Sequence, residues 1–424
     1  MTSRNLLYRS FLLLALLLVT SGNLFAQQGP DVRSMTEAQL RAYAAGIHER
    51  VLTLDTHDDI EENFATPEVD PGVNGSRQVD LPKMREGKLD VATFIVYVGQ
   101  TERTPENYEK AKADAMNKFN AIHRMAEQMY PEEIEIAYTA DDVERIHQSG
   151  KLVSLIAIEN GYVVGKDLSL IEKYQQLGAR YMTLAHNGNN DIADSANPRE
   201  NLGDNGEEHG GLSPFGEEVV RELNRVGIMV DVSHISKKAA IHAARVSRAP
   251  IIASHSSVKA LCDVPRNMDD EAMLALKETG GVMNIVALDS FIKKDSPEKT
   301  KAISDLRAEY GIDSPGAFRN LSAAQRAGYQ QKMAAIDRQY PGPTIKDVVD
   351  HIDYAVKLIG IDHVGISSDF DGGGGISGWN NAAESGNVTL ELVRRGYTEE
   401  QIGKLWSGNL LRVLREVERV AAEM

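Results

Sequence analysis

The stretch "GIMVDVSHISKKAAIHAARVSRAPIIASHSS" (227–257) holds one strand–helix repeat and the start of the next. An apolar run, GIMVDVS, ends at His234, a helix-forming stretch follows, and a second run, PIIAS, ends at His255. Short β-branched and aliphatic runs that alternate with helical stretches read as buried parallel strands joined by crossover helices. The same pattern recurs along the chain. "VLTLDT" (51–56) leads into His57 and Asp59, "LVSLIAI" (152–158) into Glu159, "ARYMTLA" (179–185) into His186 and "HVGISS" (363–368) into Asp369. "LDVATFIVYV" (89–98) and "GGVMNIVA" (280–287) end in no such residue but bring the runs to eight. Eight strands with intervening helices predict a (β/α)8 TIM barrel, in which active sites gather at the C-terminal ends of the strands.

With 424 residues, a single large barrel domain over 50–424 accounts for the chain better than several small ones. Residues 27–49 form an N-terminal helical arm, opened by a Thr36 cap and Glu37 in its first turn. Residues 61–88 read as a long polar loop. Residues 289–343 interrupt the repeat between strands seven and eight with charged, helix-forming sequence closed by Pro341-Gly342-Pro343, a helical insertion on the catalytic rim. The "GGGG" at 372–375 reads as a flexible loop tip, since no phosphate-loop Lys-Ser/Thr follows it. The terminal "LLRVLREVERVAAEM" reads as an amphipathic helix.

Residues 1–26 carry Arg4 and Arg9, then "FLLLALLLV", then Ala26 at a plausible cleavage site, which is the plan of a secretory signal peptide. The apolar run is short for a membrane span. Periplasmic or secreted localisation is expected, without a stable membrane span after cleavage. Removing the two arginines takes the formal charge from −16 to about −18, and so acidic a surface disfavours nucleic acid and anionic lipid. Cys262 is the only cysteine, which excludes an intrachain disulfide. It reads as a small buried hydrophobe.

The strand ends carry the chemistry. Residues two apart on a strand share a face, so His57 and Asp59 point into one mouth. Glu159, His234 and His255 converge there from other strands, and imidazole with carboxylate suits a borderline metal such as Zn2+. Five ligands with one central carboxylate exceed the three of a usual catalytic zinc. They suit two ions roughly 3.5–4 Å apart with Glu159 bridging, His57 and Asp59 on one, His234 and His255 on the other. Such ions make a hydroxide available at neutral pH. Asp369 would move the proton to a leaving amine, with Asp371 as its alternative. His186 would stabilise an oxyanion. Arg266 offers a planar fork to a substrate carboxylate, or pairs plainly with Asp269 or Asp270. The other histidines (His48, His123, His147, His209, His242, His351 and His363) lie in helices or loops or at the start of a strand, and read as structural.

Taken in order, "LDTHDDI" (54–60), "LIAIENG" (155–161), "YMTLAHN" (181–187), "GLSPFGEEVVRELNRVGIMVDVSHIS" (211–236), "RAPIIASHSS" (248–257), "RNMDD" (266–270) and "GISSDFDG" (365–372) resemble the membrane (renal) dipeptidase family of zinc peptidases, in the amidohydrolase superfamily. The resemblance implies a (β/α)8 exopeptidase that hydrolyses dipeptides with two zinc ions, held by His57 and Asp59, bridged by Glu159, and held by His234 and His255. It implies substrate contacts from His186 and Arg266, a strand-eight acid at Asp369, a homodimer, and tolerance of a D-residue on the C-terminal side. Three rim segments depart from the family pattern. Asn160-Gly161-Tyr162 stands for Gly-Gly-His, "NGNNDIADS" (187–195) replaces a loop with Cys and Trp, and the 289–343 insertion is longer. Other amidohydrolases, such as N-acyl-D-amino-acid deacylases and phosphotriesterase-like enzymes, usually show His-x-His on strand one and a bridging lysine from strand four, which this chain lacks. A non-catalytic exported binding protein would have lost ligands, and none of the five is lost.

Overall fold

The computed structural model describes residues 31–312 and 317–424. The expected signal segment lies outside the described residues. Nine strands are present among them: β1 (Leu54–Asp59), β2 (Val91–Tyr97), β3 (Ile134–Ile136), β4 (Leu152–Glu159), β5 (Ala179–Thr183), β6 (Met229–Asp231), β7 (Ile252–Ser256), β8 (Val282–Val286) and β9 (Val364–Ser367). Eight run in the order β1-β2-β4-β5-β6-β7-β8-β9 with parallel neighbours. β9 returns to β1, where Asp59 N donates to Phe370 O at 2.8 Å and the Thr56 hydroxyl reaches Ile366 O at 3.3 Å. The expected (β/α)8 barrel is therefore the fold. β3 is an addition that the runs did not announce. It pairs with the first residues of β4, below the point where β5 takes over that edge.

Alternation along the strands builds the barrel interior. Leu54, Ile95, Val153, Leu155, Met229, Ile252 and Val282 form one buried cluster with Leu410, Leu414 and Val417. The last three belong to the C-terminal helix Asn409–Ala422, so this helix lies against the barrel interior as its apolar stripe requires. The opposite end of the strands is left for the functional residues. Among the described residues no helix is long and apolar enough to cross a membrane.

The N-terminal helix Glu37–Arg50 begins with the expected Thr36 cap, in a capping box with Gln39. Two other segments differ from expectation. Residues 61–88 are not all loop: Leu81–Gly87 is a helix, because the Asp80 carboxylate caps Lys83 N and Pro82 occupies the first turn. The "GGGG" segment is not a free tip. Gly372 N and Gly374 N both donate to Asp369 O and Gly375 N to Ala287 O. A Cβ at Gly374 would collide with Ser368 O, and one at Gly372 with the Asp59 and Asp369 carboxylates. The glycines allow close packing under the rim. The insertion holds helices Pro297–Glu309 and Ala323–Gln339.

Candidate active site

Each expected residue stands where its strand delivers it. His57 and Asp59 end β1, Glu159 ends β4, and His255 lies in β7. His186, His234 and Asp369 follow β5, β6 and β9 by two or three residues. Two of these residues and two of their neighbours have unusual backbone. His234 and Asp369 have φ of 68° and 59°, and Asn160 and Asp371 have φ of 82° and 60°. Left-handed backbone at non-glycine residues costs about 1–3 kcal/mol each and persists where the surroundings over-determine it, as at ligand clamps. Nothing in the residue pattern announces this strain.

A single oxygen organises the centre. Glu159 Oε1 lies 3.0 Å from His234 Nε2, 3.3 Å from His255 Nε2, 3.5 Å from His57 Nε2 and 3.8 Å from His186 Nε2. His57 Nε2 is also 3.7 Å from Asp59 Oδ2 and 4.0 Å from Asp369 Oδ1. Three sets of donor atoms lie close enough to hold a metal ion: His57, Asp59 and Glu159; Glu159, His234 and His255; and His57, His255 and Asp369. The first two are the expected pair sharing Glu159. The third brings Asp369 within ligand range, which the strand pattern did not foretell.

The donor set fits divalent cations. His57 Nε2 is buried and has no hydrogen-bond partner. Burial holds the His234 and His255 pKa values well below the ordinary 6.5, with Arg266 adding to the effect. They are therefore neutral imidazoles, the form that ligates metal. At His57 burial is outweighed by the Glu159, Asp59 and Asp369 carboxylates, which push the ring up to about 9. Burial lifts Asp59 to about 6, helped by Glu159, and raises Asp369 well above the usual carboxylate range. So many buried acids around one imidazole call for positive charge among them.

The cavity above this centre has a volume of about 610 Å³, and its walls include Lys118, His186, Asn187, Arg266, Leu288 and Phe291. Arg266 is buried and donates to His255 O at 3.3 Å, while its Nε is unpartnered. Plain loop pairing is not found: Asp269 bonds Lys237 and Asp270 bonds Tyr354. Asp371 is also occupied, accepting Gln78 N and Val79 N and pairing with Arg77 at 3.0 Å. Of the two acids after β9, it is Asp369 that faces the histidines. Two of the three departing segments reach the cavity, through Asn187 and through Phe291. Tyr162 instead hydrogen-bonds Thr101 and Glu102 O.

Several neighbours of the centre stand outside the strand-end pattern. Lys118, from helix Pro105–Arg124, buries its ammonium against Ile60 O at 2.8 Å, and nothing in the helical pattern marks it. Tyr181, Asp231 and Ser254 support the histidines from inside the strands. An acid within the apolar run "GIMVDVS" was the available signal for Asp231.

Imidazoles and carboxylates gathered on the mouth of a parallel barrel define a metallohydrolase of the (β/α)8 class. The chain belongs to the membrane dipeptidase family, peptidase family M19, whose family model matches residues 41–424. It is 34% identical over 349 residues to the dipeptidase tcpJ of Claviceps purpurea, covering 81% of this chain and 70% of that one. It is similar in structure to the probable dipeptidase PvdM of Pseudomonas aeruginosa, with TM-score 0.81 and 35% identity over 91% of this chain and all of that one. A metallo peptidase from Rhodobacter sphaeroides shares the fold at 21% identity and TM-score 0.68, covering 87% of this chain and 99% of that one.

Proposed function

We propose that this chain is a binuclear zinc dipeptidase that hydrolyses the single peptide bond of dipeptides and tolerates a D-residue on the C-terminal side. The observation that carries the proposal is the Glu159 Oε1 atom facing four imidazole Nε2 atoms, with a carboxylate-bearing set on one side and a histidine pair on the other. Zinc ions held by His57, Asp59 and Glu159 and by Glu159, His234 and His255 would supply Lewis acidity at the scissile carbonyl and acidify water.

The chain's own groups divide the remaining work. Arg266 has a buried guanidinium with an unpartnered Nε and would receive the free carboxylate. His186 is held neutral, its pKa pushed down to about 4 by burial, with Arg266 and His57 contributing against Glu159. As a neutral donor in the cavity wall it would stabilise the developing oxyanion. Asp369, with Oδ1 4.0 Å from His57 Nε2, would take a proton and deliver it to the leaving amine. A reader of the terminal carboxylate in a roomy cavity fits a site indifferent to configuration at the last residue. The proposal extends to export, supported by the basic-then-apolar N-terminus, and to a homodimer, supported by the family resemblance. L,L, L,D and D,L dipeptides assayed on protein of measured metal content test it. Turnover of N-acyl amino acids in preference to dipeptides would refute it.

A further inference from the structure

Buried hydrogen-bond chains run outward from two of the histidines. His57 Nδ1 lies 2.7 Å from the Tyr181 hydroxyl, which donates to Thr56 O at 2.9 Å. With its one proton committed to a carbonyl, the phenol can only accept from His57 Nδ1–H. The chain at His255 is longer. His255 Nδ1 lies 2.8 Å from Ser254 Oγ, and Ser254 donates to Asp231 Oδ2 at 2.7 Å. Asp231 is fully buried in β6 and also accepts Ser254 N at 2.8 Å, Ser233 N at 3.1 Å and the Thr183 hydroxyl. Four donors aimed at one carboxylate hold it as an acceptor. The Ser254 proton is thereby committed, so Ser254 Oγ accepts from His255 Nδ1–H, and His255 Nε2 turns its lone pair into the centre, 2.8 Å from His234 Nε2 and 3.3 Å from Glu159 Oε1.

We propose that Asp231, acting through Ser254, is a positioning residue that fixes His255 in the Nδ1–H tautomer and keeps Nε2 available as an electron-pair donor to metal. The inference rests on the reading of His255 as a metal ligand. Carboxylates that orient ligating imidazoles are a general device around metals, and here a hydroxyl is interposed between them. The chain has a polarity that can be reversed. In Asp231→Asn the amide oxygen can keep the two backbone N–H groups while the amide nitrogen donates to Ser254 Oγ. Ser254 then donates to its nearest other acceptor, His255 Nδ1 at 2.8 Å against 3.5 Å for Ser233 Oγ, which moves the ring proton to Nε2. Ser254→Ala removes the relay without reversing it. The isosteric change farther from the metal therefore does more harm than the deletion nearer to it, an order that a packing role would not produce.

Zn2+ affinity of the holoenzyme, measured by chelator competition, and the 15N shifts of the His255 ring test this. Loss of an outer partner weakens metal binding about 10–100-fold. Ser254→Ala should fall at the low end and Asp231→Asn at the high end, and Asp231→Asn/Ser254→Ala should return to the Ser254→Ala level. The ring shifts should show a protonated Nδ1 in wild type and a protonated Nε2 in Asp231→Asn. Zinc on Nε2 would itself exclude a proton there, so the shifts are read after chelation, where they judge the relay alone, while a wild type that takes up no zinc would refute the ligand reading and leave that judgement standing. An unreversed tautomer in Asp231→Asn, or a double variant no tighter than Asp231→Asn, would overturn the proposal. Should Asp231→Asn fail to fold, unchanged Zn2+ affinity in Ser254→Ala would overturn it alone.

Discussion

Asp369 and Asp371 sit two residues apart, both with left-handed backbone, yet their surroundings give them different tasks. Asp369 faces His57, so Asp369→Asn should keep both metals and lower kcat by about 10²–10⁴-fold with little change in KM, as expected for one acid–base group. Loss of metal instead would assign Asp369 to the third donor set. Asp371 is tied to Arg77 and to the backbone of Gln78 and Val79, so Asp371→Asn should lower thermal stability more than turnover. At Arg266, replacement by Lys should raise KM markedly, because an ammonium cannot reproduce the paired geometry of a guanidinium. Amidating the dipeptide C-terminus should cost wild type about as much, and equal turnover of amide and acid would give Arg266 another task. Gly372→Ala drives a methyl into the Asp59 and Asp369 carboxylates, and metal content and kcat should fall together.

At the scale of elements, strands were legible because a buried parallel strand needs a continuous apolar run, and each histidine and acid of the centre lies at or just beyond the end of one, whereas Arg266 comes from the loop after β7. What escaped notice was short or set by tertiary contact. β3 is three residues, "IEI", and exists because the edge of β4 extends below β5. The helix Leu81–Gly87 hides behind a loop-like composition, although Asp80 and Pro82 mark its start. The glycines at 372–375 look like flexibility in sequence and prove to be close packing, because only the fold brings Ser368 O and Asp59 against them. Lys118 was invisible for the same reason. His48 supports a prediction at this scale. It ties the N-terminal helix to Gly87 O at 2.9 Å and to Thr389 at 2.7 Å, and burial holds its pKa below 6.5. The unfolded chain accepts a proton that the folded chain resists, so this contribution is complete above pH 6.5 and is lost as pH falls toward the lowered value. Denaturant titrations across pH 7.5 to about 5 should show a shallower acid slope in His48→Gln than in wild type. An identical slope would mean that His48 protonates without cost.

For the whole molecule, the barrel separates stability from chemistry, with the C-terminal helix against the interior and the metal-type residues at the opposite mouth. Leu414 is fully buried in the interior cluster, so Leu414→Ala should cost about 2–5 kcal/mol of stability while kcat stays near wild type. A large fall in kcat at full occupancy of the folded state would show that the two ends are coupled. The central claim is the paired centre on Glu159, and metal stoichiometry tests it most directly. Purified chain titrated with Zn2+ under chelator control, with activity followed on the same samples, should take up two equivalents cooperatively, and Glu159→Gln should lose both the cooperativity and the activity. Full activity with one zinc per chain, or cooperative loading that survives Glu159→Gln, would contradict it.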